Sequence, residues 1–260
     1  MNQNPPGLQE TPPPPAAQGG RPAMRPPRPY VTYVLIGICV VVYLFQMGTQ
    51  SLLGVDVPAV WGVKDNQMIM RGQVWRLITP IFLHSDQTPL HIGFNMYALF
   101  FIGRMVESFY GRRRYIGLFI LSGFAGNVIS FMFSPYPSLG SSTSIFGLLG
   151  AEGVLLYQNR EIFGSIARRA LSQVIIVAAA NLVIGLTPGL GIDNWGHIGV
   201  LIGGTLFAWF GGPLLQRQGL APTYNIVRDV RSTREIIRAG IGVGALFFFL
   251  TIAAMIMRRG

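Results

Sequence analysis

Two side chains able to form a nucleophile–base pair sit in apolar stretches of this chain. Ser142 lies in Gly140-Ser141-Ser142-Thr143-Ser144-Ile145-Phe146-Gly147, and His197 follows in Asn194-Trp195-Gly196-His197-Ile198-Gly199. A serine hydroxyl is a weak nucleophile until a base takes its proton, and imidazole suits that task near neutral pH. The chemistry would be acyl transfer. His91 and Asn95, four residues apart, share one helix face. With the backbone N–H of Ser142 at a helix start, they could surround a developing oxyanion.

Each of these residues also has a plainer reading. Ser142 could cap its helix, and Ser141 or Ser144 could do so equally well. His197 could be a packed or hydrogen-bonded side chain. His91 and Asn95 could hold loops in place, and His84 could shape a pocket rim. Asp193, four residues before His197, could complete a triad or cap the helix. Glu152 lies about 15 Å below Ser142 along a helix, too far for the same bond, and is expected to make a structural hydrogen bond.

The elements that must position these groups are membrane helices. Half of the 260 residues are hydrophobic and only 12% are charged, about half the charge of a soluble domain. The mean hydropathy is +0.45. The apolar residues come in blocks of spanning length, at roughly 31–50, 89–106, 115–133, 142–157, 171–187, 195–211 and 237–257. In lipid such blocks must be helical, because backbone groups there need internal partners. The expected architecture is all-α: a six-helix core over 30–211, a basic cytoplasmic loop over 212–235, and a seventh transmembrane helix with a short outer tail over 236–260. Residues 1–29 are Pro-rich, with Pro12 to Pro15 in a row, and read as a disordered arm. The first apolar block reads as an uncleaved anchor, lacking a small-residue cleavage signature. The gap between the first two blocks mixes Trp61, Lys64, Arg71, Trp75 and Arg76 with apolar residues and reads as an interfacial, partly helical loop.

The net charge of +10 does not point to nucleic acid. The arginines flank the apolar blocks, and no aromatic-basic stripe or groove-reading helix is present. With the N-terminus in the cytoplasm, 15 of the 20 Lys and Arg fall on the inner side, which is the positive-inside pattern. The C-terminus is then outside. Spans two, four and six all start at the outer face, so His91 and Asn95, Ser142, and His197 converge there. Cys39, the only cysteine, lies in the first span, which excludes an internal disulfide. No metal or cofactor site is expected.

The Pro/Gly/Ser entry to the fourth span, 134–141, is tolerated at membrane depth only where it is buried or lines a wet cavity. Gly140 lets the chain turn into the helix. Gly147 and Gly150 permit a close neighbour, and Gly199, Gly203 and Gly204 favour tight packing of the sixth span, expected against the fourth.

These residues, in this order, resemble the rhomboid family of intramembrane serine proteases. The resemblance runs from about Gln73 to Gly204. It rests on Trp75-Arg76, Phe82-Leu83-His84, His91-x-x-x-Asn95-Met96, Gly103-Arg104-x-x-Glu107, Gly140-x-Ser142 to Gly147, and His197 with its glycines. It implies Ser142 as nucleophile, His197 as base, and an oxyanion site from Asn95, His91 and the Ser142 backbone. It also implies Trp75-Arg76 and Glu107 as structural elements. Substrates would be transmembrane segments with locally weak helices and a small residue before the cut, and the bilayer is the other partner. The extra last helix resembles the six-plus-one arrangement of part of the family. The chain departs from the pattern at Thr143 and Val200, where glycine is common, at Phe146, where some members carry Tyr, and in extra residues between His84 and His91.

The leading expectation is a serine endopeptidase cutting membrane-embedded substrates. A non-catalytic rhomboid-like protein that binds membrane clients is the alternative, and such members typically lack the serine or the histidine. A transporter would be marked by repeated halves with matching broken helices, which the sequence lacks. A bacterial plasma membrane fits best. The sequence does not set the oligomeric state.

Overall fold

The computed structural model describes residues 28–85, 89–187, 189, 191–218 and 226–259. The first helix, α1 (Tyr30–Leu53), is long and apolar and ends at Gly54, whose left-handed φ of 71° closes the last turn. Two short helices follow, α2 (Val57–Gly62) and α3 (Asn66–Met70). Aspartates start both: Asp56 accepts the Ala59 amide at 2.9 Å, and Asp65 accepts that of Met68 at 3.0 Å. Two 3₁₀ turns, Val74–Leu77 and Thr79–Phe82, complete the connection. The loop expected to be partly helical is therefore helical over several short pieces.

A helical run then extends from α4 (Pro89–Ala98), through a π-helical turn at Leu99–Gly103, into α5 (Arg104–Phe133). The sequence blocks 89–106 and 115–133 fall inside this run, with no loop between them. The break is one residue, Gly111, with φ 72° and ψ 162°, a conformation open to glycine. The chain reverses there. Thr32 Oγ1 meets both Glu107 Oε2 at 2.8 Å and Tyr115 Oη at 3.2 Å. A methyl group on Gly103 would sit 2.5 Å from Tyr115 Oη, whereas an unbroken helix would separate residues 103 and 115 by about 18 Å.

Four more helices follow: α6 (Ser142–Gln158), the single turn α7 (Arg160–Phe163), α8 (Ser165–Ile184) and α9 (Asn194–Gly211). The last helix is α10 (Thr233–Met257), opened by a capping box between Ser232 and Glu235. The span expected at 171–187 starts about two turns earlier, because Gly164, at φ 58°, begins the helix. The expectation of a purely helical protein needs correction within 212–235. Strands β1 (Leu215–Gln218) and β2 (Ile226–Asp229) pair antiparallel there, Leu215 opposite Asp229. Arg114 ties this ribbon to α5 through a 2.7 Å ion pair with Asp229. The Pro-rich arm falls almost wholly on residues 1–27, outside the described residues.

The protein is a polytopic, mostly α-helical membrane protein. Among the described residues four helical runs are long and apolar enough to cross a bilayer: Tyr30–Leu53, Pro89–Phe133, Ser165–Ile184 and Thr233–Met257. The centre is the second arm of α5 packed with α6 and α9. Glycines set these contacts. A side chain on Gly204 would strike the backbone of Gly147, one on Gly147 would strike Ser122, and one on Gly150 would lie 2.7 Å from Thr205 Oγ1. Gly204 thus meets α6, as the sequence suggested, but Gly199 and Gly203 face Ile129 and Ala125 of α5 instead. Cys39 is fully buried in α1.

Candidate active site

The first turns of α4, α6 and α9 meet at one end of the bundle. Ser142 is the first residue of α6, and Ser141 occupies the cap position without a side-chain capping bond. Of the plainer readings, capping by Ser142 therefore does not describe it. Its Oγ instead stands 3.2 Å from Nε2 of His197. His197 is buried, 7% exposed, and its ring stacks on Phe146 with centroids 4.5 Å apart and planes 9° apart. Its Nδ1 has no hydrogen-bond partner among the described residues.

Asp193 caps α9. Its carboxylate accepts the Gly196 amide at 3.0 Å and a hydrogen bond from the Ser130 hydroxyl. Asp193 thus joins α9 to the end of α5, with its carboxylate turned to Gly196 and Ser130.

Across from this pair stands His91. A methyl group on residue 140 would lie 3.1 Å from its Cε1, 3.2 Å from its Nε2 and 3.3 Å from Ser142 Oγ. Gly140, with φ 130°, therefore keeps a gap open between His91 and the serine. His91 Nδ1 accepts the Ser85 amide at 3.2 Å, which leaves Nε2 toward the gap. Asn95 is one turn further along α4 and donates one amide hydrogen to the His91 carbonyl at 2.9 Å. At the start of α6 the Ser144 amide donates to the Ser141 carbonyl at 2.9 Å, and the amides of Ser142 and Thr143, ahead of the helical ladder, add donors at the same place.

A second serine–histidine pair lies beside the first, and the sequence reading missed it. His84 Nε2 is 3.0 Å from Ser141 Oγ. Both residues have no exposed surface. The His84 peptide is clamped by Gln46, whose Nε2 donates to the His84 carbonyl at 2.9 Å and whose Oε1 accepts its amide at 3.0 Å. Burial, helped by the nearby His91, pulls the His84 pKa from 6.5 down to about 4. His84 thus sits behind the site, not on its rim.

Lys64, the only lysine in the chain, was also missed. It is fully buried, and its ammonium donates to the carbonyls of Ser130, Ser134 and Tyr136 at 3.4, 3.2 and 2.7 Å. Its peptide pairs with that of Ser138. Arg258, from the end of α10, donates to the Phe131 carbonyl at 2.7 Å. Two cations thus close the negative end of α5, and Lys64 also holds the segment leading to Ser142. A lone lysine among apolar residues was the available signal.

The expected structural residues are all engaged. Arg76 donates to Gln73 Oε1 and to the carbonyls of Val63 and Val60, at 2.7, 2.9 and 2.6 Å. Trp75 donates to the Trp61 carbonyl at 3.0 Å. Glu107 accepts the amides of Val31 and Thr32 and the Thr32 hydroxyl at 2.8–3.0 Å, closing the start of α1. Glu152 is half-buried and makes no hydrogen bond among the described residues, so the bond expected for it is absent there. Thr143 turns its hydroxyl back to the Gly140 carbonyl at 2.8 Å. Val200 fills the space left by Gly126 and Gly147, which offsets its added bulk. No cluster of metal-ligating side chains is present among the described residues.

These features define a polytopic membrane protein with a serine–histidine pair set among helix starts at one end of its bundle. The chain belongs to the rhomboid family: residues 71–214 match the Rhomboid domain. It is 37% identical over 177 residues, 68% of this chain, to rhomboid protease GluP of Bacillus subtilis. It is 32% identical over 183 residues, 70% of this chain, to the chloroplastic RHOMBOID-like protein 9 of Arabidopsis thaliana. Those matches span 34% and 41% of the relatives' own lengths. Rhomboid-like protease 3 of Toxoplasma gondii is 31% identical over 133 residues, 51% of this chain and 49% of that protein.

Proposed function

We propose that the protein is an intramembrane serine endopeptidase that cleaves transmembrane segments of other membrane proteins, with Ser142 as nucleophile and His197 as general base. The observation that carries this reading is the 3.2 Å approach of His197 Nε2 to Ser142 Oγ beside a gap bordered by His91. Ser142 is partly exposed, whereas Ser141 and His84 are sealed, so substrate reaches the first pair and not the second. Ser142 Oγ attacks the scissile carbonyl as His197 Nε2 takes its proton. His91, Asn95 and the α6 amides stabilise the oxyanion. His197 then returns the proton to the leaving amine, and water hydrolyses the acyl-enzyme by the same route.

Seven crossings fit the helices. The Pro89–Phe133 run supplies two, by its reversal at Gly111. The 17-residue α6 and 18-residue α9 supply the short crossings inside the bundle. The distribution of arginines supports a cytoplasmic N-terminus, an outer C-terminus and a site that opens to the outer side. Similarity to the Bacillus protein supports a bacterial plasma membrane.

The test is labelling by a fluorophosphonate probe in detergent. Wild type and Ser141→Ala are expected to label, and Ser142→Ala and His197→Ala are not. Labelling that survives Ser142→Ala and is lost in Ser141→Ala would overturn this assignment and move the nucleophile to the His84–Ser141 pair. No labelling of folded wild type would favour the client-binding alternative.

A further inference from the structure

At the opposite end of α9 from His197, a groove of about 430 Å³ runs between α9 and α10, within the range of small-molecule sites. The two helices touch along one line, where a methyl group on Gly211 would lie 3.0 Å from Ala239 Cβ and one on Gly203 3.6 Å from Phe247. Beside that line the surfaces part. Leu206 and Phe210 form one wall and Gly242 and Leu246 the other. Nothing lies within 4 Å of where a Gly242 side chain would be, so the absent side chain is what opens the groove. Its mouth is polar, lined by Arg231, Arg238 and Glu235.

The charges there are unequally engaged. Glu235 is committed to the capping box, accepting the Ser232 amide at 2.8 Å and the Ser232 hydroxyl at 2.7 Å. Arg231 donates to the carbonyls of Gly212 and Trp209 at 3.1 and 3.2 Å and stands 3.8 Å from Glu235. Arg238 is exposed and makes no hydrogen bond or ion pair among the described residues. The mouth therefore keeps a net positive charge. The exposed Trp209 beside it is the type of side chain that lies at headgroup level.

We propose that this groove binds one anionic phospholipid of the surrounding bilayer. An acyl chain lies along Leu206, Phe210, Gly242 and Leu246, and the headgroup phosphate lies at Arg238 and Arg231. An apolar trough ending at the uncommitted Arg238, with Arg231 beside it, matches such a lipid at both ends, and basic pockets between membrane helices bind acidic headgroups. A second copy of the chain would bring another arginine-rich mouth against this one. The site does not depend on the protease reading.

The test is native mass spectrometry of the full chain in neutral detergent, titrated with phosphatidylglycerol or phosphatidylcholine of identical acyl chains. Wild type is expected to retain one phosphatidylglycerol in preference to phosphatidylcholine. Arg238→Ala is expected to cut that preference about fivefold. Gly242→Leu, which fills the trough and leaves every charge in place, is expected to lose both lipids. Leu206→Trp fills it from the other wall and serves if Gly242→Leu fails to fold, judged by its melting temperature. Equal retention of the two lipids by wild type would overturn the proposal. So would undiminished phosphatidylglycerol binding in a folded, filled variant, or a dimer that forms in place of the lipid adduct.

Discussion

The imidazole of His197 lies flat on the ring of Phe146, centroids 4.5 Å apart and planes within 9°. Asp193 is turned to Gly196 and Ser130, and among the described residues no carboxylate bonds the ring and its Nδ1 has no hydrogen-bond partner. The stack is what fixes the plane in which Nε2 meets Ser142. Such a ring contact is worth about 0.5–1.5 kcal/mol, so Phe146→Leu is expected to lower kcat about tenfold or less and leave KM nearly unchanged. Phe146→Tyr keeps the ring and is expected to keep the rate. Initial rates on a transmembrane reporter substrate check this; equal rates for all three proteins would remove Phe146 from the orienting role.

Gly140 separates His91 from Ser142. Alanine there must adopt a φ of 130°, which strains any residue but glycine, and its methyl would enter the gap at 3.1–3.3 Å from both side chains. If that gap receives the oxyanion, Gly140→Ala is expected to slow fluorophosphonate labelling on the order of 10²-fold, the usual cost of losing one oxyanion donor. Circular dichroism should show helix content unchanged. Wild-type labelling kinetics in the alanine variant would place the oxyanion elsewhere.

What the sequence revealed and what it hid divide along a physical line. Helices made of long apolar runs were legible, and so was the gathering of His91, Ser142 and His197, because spans that start on one face place their first residues together. The reversal between residues 106 and 115 was legible, but its sharpness was not, because the arginines there read as a loop, whereas one positive-φ glycine, Gly111, makes the turn. The ribbon of β1 and β2 was hidden in a basic stretch without strand periodicity. The His84–Ser141 bond joins residues 57 apart in sequence, and the Lys64 bonds join residues 66 to 72 apart. Contacts of that separation leave no local pattern, so Trp75, Arg76 and Glu107 gained roles from family resemblance, while His84 and Lys64 gained theirs only from the structure.

His84 gives the fold a pH dependence of definite sign. Its pKa falls from 6.5 to about 4 on folding. Between those values the unfolded chain binds a proton that the folded chain does not, so this group's stability contribution is lost as pH falls from about 6.5 to 4. The melting temperature of wild type is expected to drop across that window more steeply than that of His84→Asn, which cannot titrate. Parallel curves for the two proteins would contradict the assignment.

Lys64 holds the segment between α5 and the nucleophile. Burial draws its pKa down to about 8, still above neutral, so at pH 7 it remains an ammonium with its hydrogens on the Ser130, Ser134 and Tyr136 carbonyls. Lys64→Met retains most of the apolar stem but leaves those carbonyls, and the end of the α5 dipole, without their cation. An unpaired buried polar group costs about 1–3 kcal/mol, and Arg258 reaches only the neighbouring Phe131 and Met132 carbonyls. The variant is therefore expected to melt earlier, with a stability loss on the order of 3 kcal/mol. It should also label more slowly with fluorophosphonate at temperatures where it is still folded, because the 134–141 segment that delivers Ser142 keeps its backbone pairing at Ser138 but has lost the ammonium bonds at Ser134 and Tyr136. Lower stability with wild-type labelling would mean that Lys64 supports the end of α5 alone and that the turn at Gly140 positions the serine without it.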